Sequence, residues 1–162
     1  IIEVESELGV GSTFSLDIPL KPGVIENRIK RSGLTRNYQA KVLLAEDNVV
    51  NAKIASKILD KLGIESVVVE NGELALHETM NNTFDLILMD INMPTMDGIT
   101  ATEKIRELSF PKNQVPILAL TANAMMEDKE RCLNAGMNGF ISKPIKLARL
   151  IEELDGILSS ID

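Results

Sequence analysis

The stretch DLILMDINMP, residues 85–94, decides how the rest of the chain is read. Leu86 to Met89 are four apolar residues in a row, the pattern of a strand buried on both faces. The run carries straight into Asp90, and then into INMP and TMDG, which is loop and turn material. A carboxylate is not fully buried without a partner. Its place at the tip of a hydrophobic strand therefore asks for a chemical reason.

Working outward, the same texture repeats. VLLA (42–45) is a short apolar strand. NVVNAKIASKILDKLG (48–63) has apolar residues at helical spacing, at Val50, Ile54, Ile58 and Leu62, and closes on Gly63 at a C-terminal cap position. IESVVV (64–69) is a strand, and NGELALHETMNN (71–82) a helix with Asn71 as its cap. DGITATEKIREL (97–108) is a helix capped by Asp97. PILALT (116–121) is a strand with proline at its first residue, where no ladder bond is lost. AMMEDKERCLNAG (124–136) is a helix ending at Gly136, GFISK (139–143) a strand, and KLARLIEELDGILSS (146–160) a helix with Leu147, Leu150, Ile151, Leu154 and Leu158 on one face. Five alternations of strand and helix imply an α/β fold, a doubly wound parallel sheet with helices on both faces.

In open α/β sheets, ligands bind outside the carboxyl ends of the strands, where the strand order reverses. The first strand ends in Glu46-Asp47, the third in Asp90, the fourth in Thr121 and the fifth in Lys143. Three carboxylates at one edge repel one another, and a bound cation removes that conflict. An all-oxygen donor set suits a hard ion such as Mg²⁺, which keeps waters and combines a few carboxylates with phosphate oxygens. Phosphoryl transfer needs positioning and charge neutralisation above all. Asp90 can then serve as the nucleophile that forms an acyl phosphate. Lys143 would supply a compact positive charge to one phosphoryl oxygen, and Thr121 a hydrogen bond to another. Read singly, the same residues are ordinary. Glu46-Asp47 could cap a helix, Thr121 could do the same, Lys143 could be a solvated lysine and Phe140 a core residue.

Composition narrows the classes further. The 162 residues carry 17 basic and 24 acidic side chains, a formal charge of −7, which argues against non-specific nucleic-acid or membrane binding. The 44% hydrophobic content supports a real core. Cys132 is the one cysteine, so no internal disulfide exists, and a reducing compartment fits. His77 is the one histidine, in a helical pattern, so clusters of several histidines and Cys/His zinc sites are excluded. Met93, Met96, Met125 and Met126 read as loop and core filling. No apolar run reaches the roughly 18 residues of a membrane span, and the acidic start (Glu3, Glu5, Glu7) is not that of a signal peptide.

Residues 41–160 resemble a response-regulator receiver domain. LLAEDNVVN matches the family's acidic start, LILMDINMPTMDG its phosphoacceptor loop, LALTANA its threonine segment and GFISKPI its Lys-Pro segment. The spacings fit as well: 43 residues from Asp47 to Asp90, 31 to Thr121 and 22 more to Lys143. The resemblance implies a flavodoxin-like sheet of order 2-1-3-4-5. It implies that Asp90 accepts phosphate from a phosphohistidine, and that Glu46, Asp47, Asp90 and the backbone carbonyl of Asn92 hold Mg²⁺. Thr121 and Lys143 would bind the phosphoryl group. Phe140 falls where the family carries an aromatic switch that turns inward on activation. Lys143-Pro144 would be a cis peptide. Ala122 leaves the site open, and Asn92 stands at a position that influences dephosphorylation. A receiver catalyses its own phosphoryl transfer and dephosphorylation. The implied partner is a histidine kinase or a histidine phosphotransfer protein, with no nucleic acid and no membrane contact by this stretch.

Residues 1–20, IIEVESELGVGSTFSLDIPL, alternate as a β-hairpin does around ELGVG. They resemble the last strands of a histidine-kinase ATP-binding domain, with Gly9, Gly11, Ser12, Thr13, Phe14 and Pro19 on the family's pattern. Residues 21–40 read as a basic linker, with Lys21, Arg28, Lys30, Arg31 and Arg36 against Glu26, and a helical tendency around VIENRIK. The parent implied is a hybrid sensor histidine kinase, cytoplasmic in this stretch and compatible with a membrane anchor elsewhere. The kinase core is outside this sequence and His77 lies within the receiver part, so ATP binding and histidine autophosphorylation are not expected of it. Nor is a DNA-binding output. Two other readings compete. A phosphatase of the haloacid-dehalogenase type also places an aspartate after a buried strand, but needs a second aspartate two residues on, where Asn92 stands. A pseudo-receiver would be a docking module that never carries phosphate.

Overall fold

The computed structural model describes residues 2–9, 11–17, 38–122 and 126–158. The chain divides into two compact units, Ile1–Leu34 and Thr35–Asp162.

The first unit contains the hairpin. Strands β1 (Ile2–Glu7) and β2 (Gly11–Leu16) pair antiparallel, with Val4 opposite Phe14 and Ile2 opposite Leu16. The turn needs backbone with positive φ, which Gly9 (+84°) and Gly11 (+133°) supply. Within this unit Phe14 is 74% exposed and Leu16 61%. A two-stranded ribbon with one apolar side uncovered is marginal in water. The anticipated helical tendency around VIENRIK, and Pro19 and Pro22, lie outside the described residues.

The second unit holds β3 (Lys41–Ala45), α1 (Val49–Lys61), β4 (Glu65–Val69), α2 (Gly72–Asn81), β5 (Leu86–Asp90), α3 (Gly98–Arg106), β6 (Ile117–Thr121), α4 (Met126–Asn134), β7 (Gly139–Ser142) and α5 (Leu147–Leu158), with a short 3-10 turn at Lys112–Gln114. Its sheet runs β4-β3-β5-β6-β7, every pair parallel. Counted from β3, that is the order 2-1-3-4-5. Most element ends sit one or two residues inside the spans read from the sequence, whereas β3 begins one residue earlier, at Lys41, and β5 takes in Asp90. Ile64 belongs to the turn before β4, where its N–H bonds Leu59 O, rather than to the strand.

Side-chain alternation along the central strands builds two cores. Val42, Leu44, Leu86, Leu88, Leu118 and Leu120 face Ala55 and Leu59 of α1 and Leu150 and Leu154 of α5. Leu43, Ala45, Ile87, Met89, Ile117 and Ala119 face Ala75 of α2, Ala101 and Ile105 of α3, and Cys132 of α4. Strands β5 and β6 are buried along their whole length, while edge strand β4 is half open. This is why β5 and β6 read as unbroken apolar runs. Cys132 is a core residue, and His77 is exposed on α2.

The helices bury less predictable faces. In α1 the side toward the sheet is Ala52, Ala55 and Leu59, whereas Val50 is 65% and Ile54 49% exposed. Two stripes at helical spacing compete in this segment, and the small alanines let the helix approach the sheet closely. In α5, Leu150, Ile151 and Leu154 are buried but Leu147 is largely exposed; the side chain of Leu158 lies outside the described residues. Helix α1 ends as read, with Gly63 at φ +75° beyond its cap residue Leu62.

Candidate functional site

Strand β3 has β4 on one side and β5 on the other, so the chain leaves β3 in one direction and returns in the other. The crevice between the carboxyl ends of β3 and β5 is where such a sheet opens a binding site. Glu46 and Asp47 follow β3, and Asp90 ends β5. Their carboxylate oxygens lie within 4.8 Å of one another. Glu46 is 3% exposed and Asp90 4%, while Asp47 is open to solvent.

Neither acid before α1 is spent on capping it. Asn48 is the cap, its side-chain oxygen accepting the N–H groups of Val50 and Asn51 at 3.0 and 3.1 Å. Asn51, one turn into the helix, donates its amide to Glu46 Oε1 at 3.0 Å. The helix therefore aims Glu46 at the crevice. Asn51 lies inside the motif that the sequence singled out, but nothing in its spacing assigns it this task.

Lys143 comes from the end of β7. Its ammonium stands 2.5 Å from Asp90 Oδ2 and 2.7 Å from Glu46 Oε2. Its own N–H donates to the carbonyl of Thr121 at 2.7 Å, which ties the ends of β6 and β7 together. The Lys143-Pro144 bond is cis, as the resemblance implied; Phe110-Pro111 is cis too, which nothing in the sequence foretold. Thr121 is buried at the last position of β6. Asn92 donates its N–H to Asp90 Oδ1 at 3.2 Å.

Burial raises the Asp90 pKa above its ordinary value, although the Lys143 ammonium and the Asn92 N–H pull the other way and the charge of Glu46 adds to the rise. Burial acts on Lys143 in the opposite sense, but its bonds to Asp90 and Glu46 and the field of both carboxylates prevail, and its pKa is raised. The ammonium is thus held charged beside a carboxyl that is costly to ionise alone.

Glycine closes the site from below. A Cβ on Gly98, at the start of α3, would overlap the backbone carbonyl oxygen of Asp90 and approach Met89 Cγ at 2.8 Å. A Cβ on Gly72, at the start of α2, would come within 2.6 Å of the Met96 carbonyl, and the Gly72 N–H bonds that same oxygen at 3.0 Å. Two helix starts therefore press directly on the loop that carries Asp90. Met93 and Met96 pack onto the core below it.

Phe140, the third residue before Lys143, is half-buried. It packs against the core shared with α3 and α4, with the Lys129 ammonium over its ring. The site thus unites Glu46, Asp47, Asp90 and Lys143, with Thr121 and Phe140 on the neighbouring strand ends. The donor set suits a hard cation: three carboxylates, two of them buried, with one ammonium among them leave a net negative charge.

Comparison with known proteins agrees with this geometry. The family model of the response regulator receiver domain matches residues 42–155. Hybrid signal transduction histidine kinase K of Dictyostelium discoideum is 38% identical over 91% of this chain, which spans 14% of that protein's length. The receiver domain of a sensor histidine kinase from Pseudomonas aeruginosa, crystallised with magnesium in its active-site cleft, is 40% identical. It superposes with a TM-score of 0.70 over 75% of this chain and 98% of its own. The receiver domain of the Saccharomyces cerevisiae response regulator Ssk1, solved with the histidine phosphotransfer protein Ypd1, is 31% identical with a TM-score of 0.69, over 74% of this chain and 88% of its own. No helix among the described residues is long and apolar enough to cross a membrane. The chain belongs to the response regulator receiver domain family, the phosphoacceptor modules of two-component and phosphorelay signalling.

Proposed function

We propose that Asp90 accepts a phosphoryl group from a phosphohistidine, with Mg²⁺ held by Glu46, Asp47, Asp90 and the backbone carbonyl of Asn92. The observation that carries this reading is the meeting of three carboxylates within 4.8 Å, with Lys143 bonded to two of them. Bound Mg²⁺ supplies the positive charge that lets an anionic phosphoryl group approach this acidic crevice. The protein's own residues do the rest. Lys143 keeps Asp90 ionised in a buried place. A carboxylate oxygen of Asp90 forms a bond to phosphorus as the donor's P–N bond breaks, and the imidazole nitrogen keeps the electron pair. Lys143 and the Thr121 hydroxyl then hold phosphoryl oxygens. Drawing Thr121 inward frees space for Phe140 to turn, so the face built by α4, β7 and α5 changes.

The partner proposed is a histidine phosphotransfer protein or a histidine kinase. Val49, Val50 and Ile54 are each 49–65% exposed on α1 beside the acidic crevice. Exposed apolar residues at a site's rim suit a docking partner. Residues 1–20 are read as the closing strands of a kinase ATP-binding domain, 21–40 as a linker and 41–160 as the receiver of a hybrid sensor kinase. Two observations support this: the uncovered face of Val4, Phe14 and Leu16, and a relative of that kind aligned over 91% of the chain. Cys132 is buried and is the one cysteine of the sequence, which suits the cytoplasm.

The test is intact mass after incubation with Mg²⁺ and acetyl phosphate. One phosphoryl adduct, labile to hydroxylamine and missing in Asp90→Asn, is the expected result. No adduct, even with a phosphorylated histidine donor, would return the chain to the docking-module reading.

A further inference from the structure

The ring of Phe140 is not packed by apolar neighbours alone. The ammonium of Lys129, from α4, stands over its face 4.4 Å from the centroid. Lys129 is half-buried rather than extended into water, and Phe140 is half-buried beneath it. An ammonium in this position is attracted by the negative face of the ring, and partial desolvation of the pair strengthens that attraction. The contact joins α4 to the strand that ends in Lys143. It exists in an arrangement where the Lys143 ammonium is bonded directly to the Asp90 carboxylate at 2.5 Å.

We propose that Lys129 is a positioning residue for Phe140: its ammonium holds the ring against α4 and thereby sets what fraction of the protein is ready for phosphorylation. The inference rests on the reading of Phe140 as the moving aromatic. An interaction made in one of two states biases the equilibrium toward that state, and the apparent readiness of the other falls by the same factor. Loss of a cation–π contact of this kind changes such an equilibrium by about two- to fivefold. The direction is diagnostic. Deleting a positive charge would by itself slow capture of an anionic phosphodonor. Releasing the ring would speed phosphorylation.

The experiment follows the rate of phosphorylation of the full chain by acetyl phosphate and Mg²⁺, by intact mass. The proteins are the wild type, Lys129→Met, Lys129→Arg, Phe140→Ala and the Lys129→Met/Phe140→Ala double variant. The ring signals of ¹³C-labelled phenylalanine are recorded in parallel. Expected are a rate about two- to fivefold higher for Lys129→Met, a rate near wild type for Lys129→Arg, and no effect of Lys129→Met once Phe140 is alanine. A shift of the Phe140 ring signal in Lys129→Met, toward its position in the phosphorylated protein, is expected as well. A slower or unchanged Lys129→Met overturns the proposal. So does an equal acceleration in the Phe140→Ala background. If Asp90 is phosphorylated but the Phe140 ring signal does not move, the switch reading falls and the role of Lys129 with it, while the phosphoacceptor reading stands. If the wild type takes no phosphoryl group, the phosphoacceptor reading itself falls.

Discussion

Asn51 donates its side-chain amide to Glu46 at 3.0 Å, from a helix to the loop that precedes it. The bond orients a buried carboxylate that belongs to the proposed cation site. Groups that hold a metal ligand in place typically contribute 10- to 100-fold to affinity (about tenfold is expected here). Asn51→Ala should therefore weaken Mg²⁺ binding by about that factor, read by titration calorimetry, with little change in the unfolding midpoint. Unchanged affinity would mean that Glu46 is aimed by the strand end alone.

Gly98 leaves no room for a side chain against Asp90 and Met89. Overpacking a tight contact costs about 1–3 kcal/mol, and here the crowded atom is backbone, which yields least. Gly98→Ala should fall at the upper end of that range in urea unfolding. It should also slow phosphorylation, because the strain is relieved only by moving α3 or the phosphoacceptor residue. A fully stable, fully active Gly98→Ala would show that the two elements can separate without consequence.

Arg106 ends α3 and reaches four acceptors: the carbonyls of Gly136, Asn113 and Val115 at 2.9 Å each, and Asn138 Oδ1 at 3.1 Å. Asn138 in turn accepts the Ile117 N–H at 2.8 Å, at the start of β6. Burial lowers the Arg106 pKa, but the group stays charged at any physiological pH. Charge-assisted bonds contribute about 1.5–3 kcal/mol, and loss of the donor also leaves partly buried carbonyls unsatisfied. Arg106→Met should cost about 3 kcal/mol, measured by urea unfolding. Arg106→Lys should recover only a minor part, since one ammonium cannot span the fork.

Asp97 caps α3, its carboxylate accepting the Thr100 N–H at 2.8 Å and the Thr100 hydroxyl at 3.0 Å. The Thr100 N–H is the main cause of its lowered pKa. A lowered carboxyl pKa means stability that is present above the unfolded value, and lost as pH falls through the folded value. At neutral pH, Asp97→Ala should cost about 1 kcal/mol. The gap to wild type should narrow below the ordinary carboxylate range. Asp97→Asn should keep most of the cap and lose the pH dependence. Urea midpoints of the three proteins between neutral and acid pH decide it; a gap independent of pH would place the stabilisation elsewhere.

Much of this protein is written in its linear pattern. Strands β5 and β6 lie between two layers of helices, so they must be continuous apolar runs, and such runs are visible without a structure. Polar residues that interrupt such runs at their carboxyl ends stand where doubly wound sheets bind ligands. Glu46, Asp47, Asp90, Thr121 and Lys143 could therefore be picked out and grouped before any coordinates. Tertiary structure alone decided other things. Periodicity shows that α1 is a helix but not that its alanines face the sheet while Val50 and Ile54 face water, because that choice depends on how closely two elements approach. The bond from Asn51 to Glu46, the close approach of Gly98 to Asp90, the reach of Arg106 to neighbouring segments and the Lys129 ammonium over Phe140 have no local signature. Each is a distance between groups that meet only when separate elements pack, and sequence spacing carries no information about that distance.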